Sequence, residues 1–573
     1  MNGDNHPRRL NRRSFLATAA AAGLVGAARP ALGQEADDDG SENAGDDSEP
    51  TAESLRHAAK LIDLDLTERE REQALMLVMA RRQRYRQRRE QTDLPNGVGQ
   101  ASPFRAFAWG EPQTPEADRM VRSEARGDAL PASDADIAFA PVTQLSRWIE
   151  SRAITSERLT RIYLDRLKKY GSQLECVITL TEELALKQAK RADAELASGN
   201  YRGPLHGIPW GAKDLLDTAG IRTTYGAMPY KDRVAENDAA VVRKLEEAGA
   251  VLVAKLTLGA LAYGDIWFGG TTKNPFNLQQ GSSGSSAGSA SATVAGLVGF
   301  AIGTETLGSI VSPCMRCGAT GLRPTFGRVP RTDAMALCWS LDKIGPICRG
   351  VEDTVLVLDA IRGADGGDMS SVDRPLAFDA GTDVSKLRVG YVPAWFEGRG
   401  ALDLDRQALE AMKATGATMV PIDLPEMPYG VLMTILECEA ASAFEEITFT
   451  NTDDTMQWQS PQAWPNTFRS SWFVPANELI QAERFRAQVC AMMRSAMDDI
   501  DVLITPSFAG SILLITNYTG HPALVLRTGF RGNNRPHGIT LVGHLFDEGR
   551  LASAGMAIER AMGVAMVRPD GFN

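Results

Sequence analysis

The chain has 573 residues, of which 43% are hydrophobic and 23% are charged. This balance is typical of a globular protein and excludes fibrous and strongly biased compositions. The formal net charge of −11 predicts no nucleic-acid partner, because phosphate binding needs a concentrated excess of Lys and Arg. Seven cysteines in a chain of this length are too few for a disulfide scaffold.

The N-terminal residues have the pattern of an export signal rather than of a folded element. Arg12 and Arg13 precede an Ala/Gly-rich apolar segment at 17–28, and residues 31–33 offer a small-x-small cleavage site. The pattern resembles a bacterial twin-arginine signal, which predicts that 1–33 is removed and that the protein is periplasmic or secreted. A short membrane anchor is the alternative, but a bilayer span needs roughly 20 apolar residues. We therefore expect no stable membrane insertion after signal removal.

The next segments are predicted to precede the main domain. Residues 34–53 are crowded with Asp and Glu, which predicts an acidic disordered tether. Residues 54–133 are predicted to form a helical arm and surface segment, in which Thr67 and Glu70 make a capping box. Such an arm is an element that can pack on a second protomer, so a homo-oligomer is one hypothesis.

From residue 134 to 573 strands and helices alternate, which predicts one large domain. Helical periodicity and capping signals predict helices at 182–197, 240–248 and 351–361. Short apolar runs predict strands at 176–180, 251–254, 387–392 and 502–505. This alternation predicts an α/β fold with a mixed β-sheet core covered by helices on both faces.

Residues 451–475 depart from this trend because they concentrate aromatic side chains among polar residues and prolines. Trp458, Trp464 and Trp472 all fall in this segment. An aromatic lid over a substrate channel is one interpretation. A loop whose rings pack on the core is the other.

The chemistry-bearing stretch is 281–309, where two Gly/Ser-rich turns bracket an almost uncharged run. Within it, 284–288 reads G-S-S-A-G and satisfies the nucleophile-elbow pattern with Ser286 at its centre. That motif needs an apolar strand directly before it, and the preceding residues are polar. A Ser-His hydrolase nevertheless stays open, since three histidines lie downstream: His521, His537 and His544.

Cys314 and Cys317 form a C-x-x-C pair, which is half of a typical zinc site. The sequence offers no second C-x-x-C or closely spaced His pair to complete it. We therefore predict that both thiols are buried as small apolar side chains and that the protein has no metal site.

Several blocks in order resemble the amidase signature hydrolases. Three of them read HGIPWGAKD at 206–214, GSSAGSASA at 284–292 and GTETLGSI at 303–310. Further similar blocks lie at 317–325, at 345–346 with 351–353, at 517–523 and at 538–543, and the resemblance covers roughly 137–562. It implies the amidase signature fold and an enzyme that cleaves a C–N amide bond without metal or organic cofactor.

The resemblance implies a role for each matching residue. Lys213 is the implied base, Ser285 the bridging serine and Ser309 the nucleophile. The peptide bond between Gly284 and Ser285 is implied to be cis. Gly284 and Ser286 are the implied supporting residues of the site. The implied oxyanion donors are four backbone N–H groups, those of Thr306, Leu307, Gly308 and Ser309.

These roles agree with the chemistry of the side chains. A serine hydroxyl is a poor nucleophile until a base takes its proton, and an amine is a base only when neutral. Lys213 follows apolar residues, and burial disfavours the charged ammonium. Ser285 would pass the proton of Ser309 to Lys213 and later return one to the leaving amine, and water would hydrolyse the acyl-enzyme.

The implied substrate is a small-molecule or peptide amide, and two other functions stay open. An amidotransferase-type subunit would use the same residues to release ammonia from glutamine for a partner that works on charged tRNA. An inactive binding protein on the same scaffold is the second alternative. It is motivated by departures from the family pattern, which has Asp at Glu305, Gly at Leu307 and Arg at Val311. Arg316 is the hypothetical replacement partner of Glu305.

Overall fold

The structure is a computed structural model that describes residues 49–573, apart from 93, 111, 113, 125, 126, 128 and 399. The predicted export signal at 1–33 and residues 34–48 of the predicted tether lie outside the described residues. The chain divides into two units, Met1–Arg84 and Tyr85–Asn573. The domain boundaries expected from the sequence stay predictions.

The described residues contain helices and strands that we number in chain order. The α-helices α1 to α18 are Ala52–Lys60, Glu68–Gln91, Asp134–Ala138, Val142–Glu150, Ser156–Leu174, Glu182–Ala197, Ala240–Glu247, Ala287–Val294, Val311–Cys317, Val351–Ile361, Pro393–Glu397, Asp403–Ala414, Met433–Ala443, Glu445–Phe449, Trp464–Ser471, Ala476–Met497, Ile512–Tyr518 and Glu548–Met562. The strands β1 to β17 are Arg119–Val121, Val177–Leu180, Pro209–Lys213, Val251–Leu256, Ile266–Trp267, Gly270–Thr271, Lys273–Asn274, Asn277–Gly281, Phe300–Glu305, Thr320–Arg323, Lys343–Cys348, Ala377–Asp379, Arg388–Tyr391, Thr418–Pro421, Val502–Pro506, Ala523–Arg531 and Arg535–Gly543. The 3-10 helices are Ala106–Trp109, Met228–Tyr230, Ala260–Ala262, Val384–Lys386, Tyr429–Leu432 and Thr452–Thr455.

Eleven of the described strands form one sheet in the order β14-β13-β15-β17-β16-β10-β11-β9-β3-β4-β2. Strands β13, β14 and β15 pair in parallel at one end, and β9, β3 and β4 pair in parallel near the other. The remaining pairs in this sheet are antiparallel. Because parallel strands need crossover connections, helices such as α7 and α8 join the parallel part. The predicted mixed sheet of an α/β fold is confirmed.

Helices with clear sequence signals form where the signals lie. α6 spans Glu182–Ala197, as predicted, and α10 spans Val351–Ile361. In the first unit, the backbone N–H of Thr67 donates to Glu70, and the Glu70 N–H donates to Thr67 Oγ1, so the predicted capping box forms. These elements depend on neighbours within a few residues of sequence, which is why a local pattern is enough to predict them.

Strands β3, β4 and β9 are buried along their whole length. A strand covered on both faces reads as a continuous apolar run, as Val251 to Ala254 does in β4. The rings of Trp210 in β3 and Phe300 in β9 stack with centroids 6.2 Å apart. Such a pair typically contributes about 0.5–1.5 kcal/mol beyond the area that it buries. The well-packed strands give the loops at their carboxyl ends a rigid base.

The aromatic segment 451–475 contains α15, which packs inward. Trp464 is buried and its Nε1 donates to the backbone oxygen of Leu261 at 2.9 Å, and Phe468 stacks on the ring of Phe444. Trp472, by contrast, is 41% exposed. The interpretation of rings packed on the core therefore fits α15, and a lid function stays a prediction. Among the described helices, none combines the length and apolarity needed to cross a bilayer.

Candidate active site

Three segments meet at one edge of the sheet. β3 ends at Lys213 and its parallel neighbour β9 ends at Glu305, with Ala212 paired to Ile302. The carboxyl ends of parallel neighbours lie at the same edge, which is where open α/β sheets bind their ligands. The loop 306–309 leaves β9 at this edge, and the turn at 284–286 leads into α8. The main sheet thus brings together residues that are distant in sequence.

Lys213 lies at the centre of this edge and is fully buried. Its Nζ lies 2.8 Å from Ser285 Oγ, 2.8 Å from Thr304 Oγ1 and 3.1 Å from Ser286 Oγ. No carboxylate of the described residues lies within ion-pair distance of this ammonium group. Burial lowers the pKa of Lys213 to about 7, although Asp342 and Glu305 oppose the shift. Near neutral pH the amine is therefore present in both the charged and the neutral form.

Ser285 follows a cis peptide bond from Gly284, as the resemblance implied. A Cβ atom on Gly284 would overlap the backbone oxygen of Gly264, so this position requires glycine. Among the described residues, the only hydrogen-bond partner of Ser285 Oγ is Lys213 Nζ. The hydroxyl of Ser285 can therefore form a further hydrogen bond in addition to the one with Lys213.

Ser286 has a different environment from Ser285. Its Oγ donates to the backbone oxygen of Thr304 at 3.0 Å and accepts from the Thr304 N–H at 3.1 Å. Its own backbone N–H donates to the backbone oxygen of Ser309 at 3.1 Å. The hydroxyl and the backbone N–H of Ser286 therefore both have hydrogen-bond partners, which connect the turn 284–286 to β9 and to the loop 306–309.

Ser309 is 8% exposed and its side chain is uncommitted. In the described structure, Ser309 Oγ has no hydrogen-bond partner, and no direct bond joins it to Ser285. The backbone N–H groups of Leu307, Gly308 and Ser309 likewise donate to no acceptor in the described part of the chain. Gly308 has a φ of +88°, a conformation that favours glycine. The loop therefore offers a free hydroxyl beside several free N–H donors.

Glu305 fixes the end of this loop through hydrogen bonds to backbone N–H groups. Its Oε2 accepts from the N–H groups of Ile310 and Val311, at 2.8 and 2.9 Å, where α9 begins. Its Oε1 accepts from Arg323 Nη1 at 2.6 Å and from Asn517 Nδ2 at 2.9 Å. Burial raises the pKa of Glu305, but Arg323 and Lys343 outweigh that effect and lower the pKa to about 2. Glu305 is therefore ionised across the physiological range.

The hypothesis that Arg316 pairs with Glu305 is wrong, because Arg323 forms that ion pair. Arg323 ends β10, which lies two strands away from β9 across β11. Arg316 lies in the last turn of α9 and is only partly buried. A signal for Arg323 was present in the sequence, since it is a lone arginine in the short run T-G-L-R of a resembling block.

The three downstream histidines lie away from the serines. His537 Nε2 lies 2.7 Å from Asp405 Oδ1, His521 Nδ1 bonds with Thr519 Oγ1, and His544 Nε2 bonds with the backbone oxygen of Ile500. Burial lowers the pKa of His521 to about 3. The hypothesis of a Ser-His hydrolase centred on Ser286 is therefore wrong.

The cysteine pair is also structural. Cys314 and Cys317 are buried free thiols, as predicted, and burial raises the pKa of both. Within the residues that the structure describes, no three His, Cys, Asp or Glu side chains cluster as metal ligands.

Comparison with known proteins places this arrangement in a family. The family described as "Amidase" matches residues 158–516. A glutamyl-tRNA(Gln) amidotransferase subunit of Methylococcus capsulatus is 32% identical over 471 residues, which are 73% of this chain and 96% of the relative. The chain belongs to the amidase family.

Solved structures of the amidase family agree with this membership. The native peptide amidase of Stenotrophomonas maltophilia is 28% identical with a TM-score of 0.68, covering 76% of this chain and 99% of that one. A bacterial aryl acylamidase of the amidase signature family is 20% identical with a TM-score of 0.67, covering 76% of this chain and 100% of that one, and shows the shared fold. The predicted amidase signature fold is confirmed.

Family membership also settles the class of activity. The chain is an enzyme, a hydrolase of the amidase type that acts on C–N amide bonds. Membership favours this function over the inactive binding protein that the sequence left open. Leu307 and Val311 remain departures from the family pattern, and the charge of Glu305 is balanced by Arg323.

Proposed function

We propose that this amidase uses Ser309 as its nucleophile, Ser285 as the proton relay and Lys213 as the base. One observation carries the proposal: Lys213 Nζ lies 2.8 Å from Ser285 Oγ in a fully buried position that lowers the pKa of the lysine to about 7. The turn that carries Ser285 is tied to Ser309 by the hydrogen bond from Ser286 N–H to the Ser309 oxygen. The nucleophile and its relay are thereby held on neighbouring loops.

In the first half of the reaction, neutral Lys213 accepts the proton of Ser285 while Ser285 accepts that of Ser309. Ser309 Oγ attacks the carbonyl carbon, and the oxyanion receives hydrogen bonds from the free N–H groups of the loop 306–309. Loss of one such donor typically costs about 3 kcal/mol of transition-state stabilisation. Hydrogen bonds between catalytic groups commonly tighten when substrate binds, which is the step at which Ser309 and Ser285 would meet.

In the second half, the proton on Lys213 returns through Ser285 to the nitrogen of the leaving group. The C–N bond breaks and an acyl-enzyme ester forms on Ser309. A water molecule, deprotonated by the same relay, attacks this ester and releases the carboxylic acid. Each proton that leaves a nucleophile is thus returned to a leaving group, so the lysine ends the cycle neutral.

A fluorophosphonate probe tests the assignment, because it phosphonylates an activated serine hydroxyl. We expect labelling of the wild type, loss of labelling in Ser309→Ala, and retained labelling in the control Ser286→Ala. Peptide mass mapping would locate the adduct. An adduct on Ser286, or labelling of Ser309→Ala at the wild-type rate, would refute the proposed nucleophile.

We further propose that the enzyme is exported through the twin-arginine signal and acts in the periplasm or outside the cell. Arg12 and Arg13, followed by the apolar segment 17–28, support this proposal. Expression of the full chain in a bacterium, followed by cell fractionation, should give the mature enzyme in the periplasm or the medium. Changing both arginines to lysine should retain the precursor in the cytoplasm, whereas export of that variant would contradict the proposal.

A glutamine-hydrolysing amidotransferase component is the second candidate. It is favoured by relatives named as glutamyl-tRNA(Gln) amidotransferase subunits, including one in Moorella thermoacetica that is 31% identical over 485 residues, 76% of this chain and 99% of the relative. The proposed export argues against it, because tRNA charging is cytosolic. Co-purification of partner subunits together with ammonia release from glutamine would favour this candidate, and turnover of simple amides by the isolated chain would favour the amidase.

A further inference from the structure

A cavity of about 190 Å³ lies beside the candidate active site. Thr304 and Thr306 both line it. Thr304 Oγ1 lies 2.8 Å from Lys213 Nζ, and Thr306 begins the loop that carries the free N–H donors. A group bound in this cavity would therefore lie next to a residue that contacts Lys213 and to the start of the loop that carries Ser309.

Four charged side chains line the cavity and each already has a partner; Asp333, for example, lies 3.6 Å from Arg243. Arg331 donates to both carboxylate oxygens of Asp368, to Ser370 Oγ and to the backbone oxygen of Trp339. Asp342 accepts from Thr306 Oγ1 at 2.6 Å and from the N–H groups of Leu337 and Cys338. None of these charged groups lacks a hydrogen-bond or ion-pair partner in the described structure, so the cavity favours a neutral group.

The remaining wall is mostly apolar. It includes the side chains of Leu215, Ala262, Met335, Leu337 and Ile344. Apolar cavities of about 150 Å³ in proteins hold a benzene molecule. The size and lining of this cavity therefore match one aromatic ring.

One wall comes from a segment outside the family match, which begins at residue 158. We call this the arm wall, defined by five lining residues: Gly97, Gly99, Gln100, Pro103 and Phe104. Asn96 fixes its start, because its side chain exchanges two hydrogen bonds with the backbone of Ala336, at 2.7 and 2.8 Å. The backbone oxygen of Asn96 also accepts from Trp339 Nε1 at 3.1 Å.

The other end of the arm wall is fixed by Phe104. The guanidinium carbon of Arg486 lies 3.5 Å from the centre of the Phe104 ring, and the ring of Phe326 meets Phe104 edge to face at 5.3 Å. Arg486 is itself buried, so this contact is a desolvated cation–π interaction. The arm wall is thus held at both ends against the body that carries the active site.

We propose that this cavity receives an uncharged aryl group of the amide substrate and that the arm wall sets the selectivity for that group. The proposal deepens the proposed amidase function and rests on it. It assigns a specificity role to the arm wall, which the matched family region does not contain. Small aliphatic amides leave the cavity unused, and aryl amides gain from filling it.

The test narrows the cavity from the arm wall. A Cβ on Gly99 would lie 3.6 Å from Trp339 Cδ1, which is an ordinary van der Waals contact. The Cβ of a larger side chain therefore has room at this position, and it faces Trp339, which lines the cavity. Gly99→Phe is therefore compared with Val98→Phe, a matched control at a 51% exposed position that does not line the cavity. The readout is kcat/KM for phenylacetamide and for acetanilide, each divided by kcat/KM for acetamide.

We expect Gly99→Phe to lower at least one of these two ratios about tenfold or more, because a filled pocket loses the binding of the ring in the transition state. Val98→Phe should leave both ratios unchanged. If both variants give the wild-type ratios, or lower them equally, the proposal is overturned. Thermal melts check folding, and Asn96→Ala, which releases the arm wall, should lower the same ratio if Gly99→Phe does not fold.

A binding measurement separates this proposal from the proposed function. Calorimetric titration of Ser309→Ala with phenylacetamide and with acetanilide should detect binding of at least one of the two amides. The double variant with Gly99→Phe should lose this binding, and the double variant with Val98→Phe should keep it. Failure of both amides to bind overturns the cavity assignment. Acetamide hydrolysis by Ser309→Ala at the wild-type rate would instead refute the proposed function and leave the binding result standing.

Discussion

Glu305 and Arg323 form an ion pair in which both side chains are fully buried, with Arg323 Nη1 2.6 Å from Glu305 Oε1. The other carboxylate oxygen of Glu305 accepts from two backbone N–H groups at the start of α9. One carboxylate therefore links the strand β10 to the loop that carries Ser309. The positive charge that balances Glu305 therefore comes from a strand of the main sheet.

The first prediction concerns the stability of this pair. Arg323→Met should lower the free energy of unfolding by about 3–5 kcal/mol, because it leaves a buried carboxylate without its guanidinium partner. Urea denaturation would measure the change. The control is Arg316→Met, at a partly buried arginine that makes no ion pair in the described structure, and it should stay within about 0.5 kcal/mol of the wild type. Equal destabilisation by both changes would contradict the assignment.

The second prediction concerns pH. Because burial lowers the pKa of Lys213 to about 7 and the neutral amine is the base, kcat/KM should rise with pH through about 7 and be lost below it. Lys213→Arg should lower kcat by about 10² to 10⁴, since a guanidinium keeps its proton. Initial rates across this range, with circular dichroism as the folding control, would check both. A rate that is flat between pH 6 and pH 8, or an active arginine variant, speaks against Lys213 as the base.

The third prediction separates two adjacent serines. Ser285→Ala removes a hydroxyl whose only described partner is Lys213, so activity should fall about 100-fold or more with little change in stability. Ser286→Ala removes a buried hydroxyl that bonds with both the N–H and the oxygen of Thr304, so stability should fall by about 1–3 kcal/mol. Parallel kinetic and denaturation measurements would show these opposite patterns. The reverse pattern would exchange the roles of the two serines.

The fourth prediction concerns the turn before Ser285. Gly284→Ala should strongly reduce activity and lower the melting temperature, because the added Cβ overlaps the backbone oxygen of Gly264 and displaces the turn. Gly366→Ala is the matched control, since a Cβ there meets nothing within 4 Å. Amide hydrolysis and thermal melts would be measured for both variants. Wild-type activity in Gly284→Ala would contradict the prediction, because it would mean that a Cβ atom is tolerated at this position.

Features that depend on nearby residues could be predicted from the sequence. The helix Glu182–Ala197 has the bounds that the sequence predicts, because its periodicity and its end signals lie within its own residues. The blocks that carry Lys213, Ser285 and Ser309 could be recognised for the same reason, since each is contiguous. The contacts among these three residues depend on the sheet, in which β3 and β9 become parallel neighbours.

Other features could not be predicted, because they join residues that lie far apart in the chain. The sequence offers Arg316 in α9 as a partner for Glu305, but Arg323 reaches that carboxylate from β10. The pairing of Asn96 with Ala336 spans more than 200 residues of sequence, and no local pattern indicates which strand or loop the arm meets. The packing of Trp464 against Leu261 is of the same kind.

The sequence by itself determined the α/β class, the helices with local capping and periodicity, and the identity of the candidate catalytic residues. Only the tertiary structure decided that Lys213 is buried with no ionic partner among the described residues, that Arg323 balances Glu305, and that the arm wall bounds a cavity beside Thr304. The physical reason is that helix propensity, capping and motif spacing act over a few residues. Burial, charge pairing and cavity shape arise only when distant segments pack together.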